Sequence, residues 1–172
     1  MVFLGLDPGT SRIGFGLVKK DGKKLYYIDS GILDVSGNFP ERLVKIEESL
    51  CDLINKSKPS FAAIETLIFA KNRKTAIEVA EARGVLIAAL CKNGIPFDEF
   101  SPSAVKLSIS GDGSAAKESV AKMAWLSLGV TPISKVDDAT DALALAITGA
   151  LRYASHLYLY KESSGGYTAP EV

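Results

Sequence analysis

Three apolar stretches crowd into the first 33 residues with only short turns between them, and this constrains the fold more than any other feature. Val2–Leu6 is a continuous apolar run that stops at Asp7-Pro8-Gly9, which suggests a buried strand closed by a turn. In Ile13–Val18, Gly14 and Gly16 alternate with Ile13, Phe15 and Leu17, giving a second strand. Asp21-Gly22 marks a turn, and Leu25–Leu33 forms a third strand. Strands this close along the chain pair as an antiparallel meander.

The pattern then changes to alternating helices and strands. Pro40 opens a helix to about Lys56, with Leu43, Ile46, Leu50, Leu53 and Ile54 at helical spacing. Phe61–Ile64 reads as a fourth strand ending at Glu65. A long helix follows from about Thr75 to Asn93, capped by Gly94, and Pro96–Phe100 is a fifth strand. Further helices are predicted near Ser103–Ser108, Ser114–Leu128 and Asp137–Leu159. The sum is a mixed five-stranded α/β sheet flanked by helices. Residues 1–160 read as one domain. Residues 161–172, with Ser163, Ser164, Gly165, Gly166 and Pro170, read as a flexible tail.

Charge and cysteine content exclude several classes. No apolar run is long enough to span a bilayer, and Met1–Leu6 lacks the basic start and cleavage site of a signal peptide. The expectation is a cytoplasmic protein with no membrane partner. Cys51 and Cys91 fall in helical segments and read as reduced packing residues, and His156 alone cannot build a His-rich zinc site. The 20 basic residues balance the 20 acidic ones, so a nucleic-acid surface must be a local patch.

The carboxylates carry the chemistry. Asp7 and Glu65 each close an apolar strand, and ligand sites in open α/β sheets gather beyond the carboxyl ends of strands. Asp138 and Asp141 are spaced i, i+3 at the start of a helix and share a face. Each has a plain structural alternative: Asp7 could start a turn, and Asp137, Asp138 and Asp141 could be capping and first-turn acids. The helix beyond them, Ala142–Ile147, is apolar all round and therefore buried, which carries its acidic start against the sheet. Carboxylates gathered there are costly unless a cation neutralises them, and oxygen-only ligands favour Mg²⁺ or Mn²⁺. Such a site suits two-metal phosphodiester hydrolysis.

Lys117 follows Gly111-Asp112-Gly113-Ser114 in the first turn of a helix. It is either a phosphate anchor or a solvated surface lysine. Lys71, Asn72, Arg73 and Lys74 form the densest basic cluster, shortly after Glu65, and fit phosphate anchoring. The Thr75 helix is apolar over more than one stripe, and Ala80, Ala82 and Gly84 allow close helix contact. That pattern suggests a two-fold homodimer, against the alternative of cover by the chain's own later helices. Trp125, Tyr153, Tyr158 and Tyr160 read as packing residues.

Taken in order, Leu4–Gly14, Ile64-Glu65, Ala70-Lys71-Asn72, Ala82–Val85, Ser101–Lys106, Gly111–Lys117 and Asp138–Ala144 resemble the motifs of the RuvC family of Holliday-junction resolvases, from about residue 2 to residue 152. The resemblance implies an RNase H-like fold and a homodimeric, Mg²⁺-dependent endonuclease, with two ions per site and Mn²⁺ as a substitute. It would nick opposed strands of a four-way DNA junction, leave 5′-phosphates, and work with a RuvA/RuvB-type branch-migration complex. Asp7, Glu65, Asp138 and Asp141 fall on the family's catalytic acids, and Lys106 and Lys117 on its active-site lysines. The family often has a base-stacking aromatic three residues after the catalytic Glu; here that place holds Ile68, and Phe69 comes next. Asp112 also sets a negative charge in a loop expected to approach DNA.

Other readings share parts of this pattern. A YqgF-type nuclease acting on RNA has a similar glycine-rich start, but is typically shorter and lacks the block ending in Lys117. An actin- or sugar-kinase-type ATPase has a similar phosphate loop but needs a second such domain. A non-catalytic junction-binding protein would not require all four acids.

Overall fold

The computed structural model describes residues 1–9, 12–33, 35, 37–38, 40–67, 73–131 and 137–163, without the side chains of 73–75 and 154–163. The elements are β1 (Val2–Pro8), β2 (Ile13–Asp21), β3 (Lys24–Leu33), α1 (Glu41–Ser57), β4 (Phe61–Glu65), α2 (Arg73–Lys92), β5 (Phe97–Phe100), α3 (Pro102–Ser110), α4 (Lys117–Ser127) and α5 (Asp137–Ser163). The sheet order is β3-β2-β1-β4-β5. The first three strands form the antiparallel meander, while β4 and β5 run parallel to β1. This is the mixed five-stranded α/β sheet expected.

Strand alternation sorts the core into two layers. Leu4 and Leu6 of β1, with Ile13, Leu17 and Ile64, pack against Ile46 and Leu50 of α1 and Leu86 and Leu90 of α2. On the other face, Val18 and Ala63 pack with Val105 of α3, Val120 and Trp125 of α4 and Leu143–Ile147 of α5. The stretch from Ala142 to Ile147 is buried throughout, as its all-apolar character requires.

How deeply α5 sits follows from residue size. A Cβ on Gly5 would overlap the backbone of Ala142, and one on Gly14 the carbonyl of Asp138, so glycines let the amino-terminal half of α5 touch the sheet backbone. At the opposite end the spacing is aromatic: Tyr153 packs edge-on to Phe3 and Phe61, with ring centroids 5.4 and 5.3 Å apart. The acidic end of α5 is therefore its closely seated end. Trp125 likewise packs in the core, against Tyr27 at 5.5 Å.

Two helix boundaries differ from expectation by more than a residue or two. Helix α4 starts at Lys117 rather than Ser114, because the Asp112 carboxylate accepts hydrogen bonds from the backbone N–H and the hydroxyl of Ser114, at 2.8 and 2.7 Å, and holds that stretch as a turn. Helix α5 continues past Leu159 to Ser163, so the start of the expected tail is helical; residues 164–172 lie outside the described residues. Gly94 takes the left-handed conformation after α2. Both cysteines are free thiols. Among the described residues, no helix is long and apolar enough to cross a membrane.

Candidate active site

The parallel pairing of β1 with β4 brings the first two acids together. Leu6 pairs with Ile64, so Asp7 and Glu65 each lie one residue further along at the carboxyl ends of adjacent strands. Both point to the face covered by α5, opposite the Leu6 and Ile64 side chains. Their side chains are hydrogen-bonded to each other, which requires a shared proton. Gly14 lies directly across from Asp7 in the β1–β2 ladder. Because the Gly14 backbone accommodates the Asp138 carbonyl, the first turn of α5 enters the same corner.

The electrostatics show how crowded that corner is. Burial, then repulsion from Glu65, Asp141 and Asp138, pushes the Asp7 carboxyl up to about 8 from an ordinary 3.8. Burial also raises Glu65, partly offset by its hydrogen bond with Asp7. All four predicted acids thus share one electrostatic neighbourhood.

Among the described residues, Lys117 brings positive charge to this neighbourhood. As the first residue of α4, it places Nζ 2.7 Å from Asp141 Oδ2 and 3.7 Å from Asp137 Oδ2. The hydrogen bond with Asp141 holds the Lys117 ammonium above its ordinary value. In this arrangement Asp141 is turned onto Lys117 and Asp7 onto Glu65. Accordingly, among the described residues, no three His, Cys, Asp or Glu side chains converge closely enough to hold an ion as they stand. A site that takes up a cation from here must exchange the Asp141–Lys117 contact and the Asp7–Glu65 proton for it.

The remaining predicted residues are more peripheral. Lys106 is on α3, half-buried, and its charge acts on Asp112. Asp112 is exposed and held in its own loop by Ser114. Arg73 and Lys74 open α2, but their side chains are outside the described residues, as are Ile68, Phe69, Lys71 and Asn72 entirely. Tyr158 and Tyr160 lie on α5 with side chains likewise not described.

Two residues at the site carried no functional expectation. Gly14 read as an alternating strand position and as the last residue of the Leu4–Gly14 motif, with no role of its own. Arg83 appeared only inside a motif, yet its Nε donates to the Glu65 carbonyl at 3.2 Å and its guanidinium pairs with Glu99 at 2.5 Å. Neither contact leaves a local trace in the sequence, since both depend on how helices dock.

Comparison with known proteins agrees with this architecture. Residues 3–149 match the family described as crossover junction endodeoxyribonuclease RuvC. The chain is 43% identical over 149 residues to the crossover junction endodeoxyribonuclease RuvC of Chloroflexus aggregans, covering 86% of this chain and 91% of that one. It is 44% identical over 154 residues to the protein of that description from Brachyspira hyodysenteriae, covering 88% and 95%. Among solved structures, Thermus thermophilus RuvC in complex with Holliday junction substrate superposes with a TM-score of 0.83 at 31% identity, covering 91% and 96%. The yeast mitochondrial Holliday junction resolvase Ydc2 superposes with a TM-score of 0.62 at 15% identity, covering 93% and 83%, a likeness of fold alone. The fold is RNase H-like, and the chain belongs to the RuvC family of crossover junction endodeoxyribonucleases.

Proposed function

We propose that this chain is a metal-dependent endonuclease that resolves four-way DNA junctions by paired nicks, leaving 5′-phosphate ends, in the cytoplasm during recombination and repair. The observation that carries the reading is that Glu65, Asp138 and Asp141 all bear electrostatically on Asp7 at one end of the sheet, so disfavouring it as an anion that its carboxyl is pushed to about 8. Four carboxylates with no sulfur or imidazole among them are a donor set for hard divalent cations, Mg²⁺ or Mn²⁺, in a pair. When bound, such ions activate water and stabilise the leaving oxygen of an in-line phosphodiester displacement.

The protein's own contributions follow from its geometry. Asp7 and Glu65, on adjacent strand ends, are the rigid half of the site. Asp138, in the first turn of α5, and Asp141, one turn further along, are its helical half. The proton shared by Asp7 and Glu65 leaves when both act as ligands, so ion binding releases protons. Lys117, once separated from Asp141, offers its point charge to a phosphate oxygen. Lys106, Lys71, Asn72, Arg73 and Lys74 are assigned to backbone phosphates around the site, and Ile68 or Phe69 to stacking on a junction base.

Paired nicks call for two sites. On α2, Ala82 is buried in the chain's own core and is not available to a partner, while Ile77, Ala80, Gly84 and Ala88 form an exposed, mostly small stripe, and nothing lies within 4 Å of a Cβ added at Gly84. This stripe supports a two-fold homodimer with two identical sites. The family supports a RuvA/RuvB-type branch-migration partner.

The test is Mg²⁺-dependent cleavage of a synthetic four-way junction beside a linear duplex and a structured RNA. Symmetric nicks confined to the junction are expected. Preferential RNA cleavage would favour a YqgF-type activity, and junction binding without cleavage a non-catalytic role.

A further inference from the structure

Glu65 is the last residue of β4, where ladder support runs out on one side. On the β5 side the Thr66 N–H still donates to the Phe100 carbonyl at 3.0 Å. On the α2 side the support comes from a side chain. Arg83 reaches from α2 to donate through Nε to the Glu65 carbonyl at 3.2 Å, and its Nη2 pairs with Glu99 Oε2 at 2.5 Å. Glu99 is the register partner of Ile64, so one guanidinium grips both β4 and β5 beside the acid. The Arg83 side chain is 16% exposed against 44% for Glu99, so Arg83 is the embedded member of the pair.

A planar guanidinium can serve two acceptors at once from one rigid fork, whereas an ammonium is a point charge on a flexible stem. The carboxylate that needs this support faces other acids on the far side of the sheet. Once Asp7 and Glu65 are both ionised, like charges push Asp7, Glu65 and Asp141 apart, and a fixed backbone resists that push.

We infer that Arg83 is a positioning residue for the reaction: by donating to the Glu65 carbonyl, it fixes the strand end from which Glu65 presents its carboxylate to metal ions. The inference rests on Glu65 being a metal-binding acid, as proposed above. It differs from an ordinary ion pair tying α2 to β5, in which Arg83 and Glu99 would matter equally.

Three variants separate these accounts: Arg83→Met, Arg83→Lys and Glu99→Gln. Each is measured by Mn²⁺ titration calorimetry on DNA-free protein, by single-turnover junction cleavage, by junction binding in metal-free buffer and by thermal melting. Glu99→Gln leaves the bond to the Glu65 carbonyl and stays within about twofold of the unaltered protein, as a partly exposed ion pair should. Arg83→Met lowers Mn²⁺ affinity and cleavage together by about 10- to 100-fold, the range for groups that orient metal ligands, with junction binding unchanged. Arg83→Lys falls between them and keeps the fold if Arg83→Met does not. Equal losses in Arg83 and Glu99 variants would overturn the inference, as would Arg83 variants that melt earlier yet bind Mn²⁺ normally. If the unaltered protein bound no Mn²⁺, the reading of the site itself would fail, and the role of Arg83 with it.

Discussion

Gly14 and Asp138 meet so closely that a single methyl group on Gly14 would overlap the Asp138 carbonyl oxygen. Since Gly14 is also the cross-strand partner of Asp7, this contact sets the distance between the strand-borne and helix-borne acids.

Gly14→Ala therefore tests the seating of α5. The added methyl has backbone on its far side and nowhere to go, so the first turn of α5 must shift. Overpacking of this kind costs about 1–3 kcal/mol. For a chain of this length, each kcal/mol lowers Tm by about 2–4 °C. Mn²⁺ affinity should fall more than junction affinity, because the acids move while the DNA-facing surface stays. Calorimetry and a binding isotherm on one preparation check this; equal losses in both would mean general unfolding.

The raised Asp7 carboxyl makes a prediction about pH. A carboxyl whose pKa rises on folding binds more protons in the folded chain than in the unfolded chain between the two values. Stability of the metal-free protein therefore falls as pH climbs from about 4 to about 8, because burial and neighbouring acids oppose ionisation of Asp7. Saturating Mg²⁺ should remove most of that decline, since the cation favours the ionised form. Asp7→Asn should also flatten it and raise Tm at pH 8 in metal-free buffer. Melting curves across this range, with and without Mg²⁺, read it out. A stability that rises with pH in metal-free buffer would contradict the crowding of acids.

The α2 stripe predicts an oligomeric state. Gly84→Arg places a bulky charge where a Cβ meets nothing within the subunit. The monomer fold should persist, helped by up to about 1 kcal/mol of helix propensity. Sedimentation should then report half the mass of the unaltered protein. An unaltered protein that is monomeric at all accessible concentrations would remove the basis for the dimer.

Much of this was legible in the sequence because apolar runs end abruptly at Asp7 and Glu65, and because Ala142–Ile147 has no polar face to leave in water. Those features announce strand ends and a buried helix without any partner being known. The adjacency of β1 and β4 is less legible: it follows from the order β3-β2-β1-β4-β5, which spacing alone does not dictate. Lys117 reads equally well as a phosphate anchor and as a solvated lysine until α4 docks beside α5 and Asp141 comes within 2.7 Å. Arg83 and Gly14 were silent for the same reason. Each acts on a backbone carbonyl of another element, and backbone acceptors carry no residue-type pattern to read.

The central claim is that acids from β1, β4 and α5 close on divalent ions. It is tested most directly by a crystal structure of the protein soaked in Mn²⁺, with anomalous scattering used to locate the metal. The account predicts anomalous peaks between Asp7 and Glu65 and the first turn of α5, with Asp141 released from Lys117. Anomalous maps empty at that corner at saturating Mn²⁺, with Asp141 still on Lys117 and Asp7 still on Glu65, would contradict it.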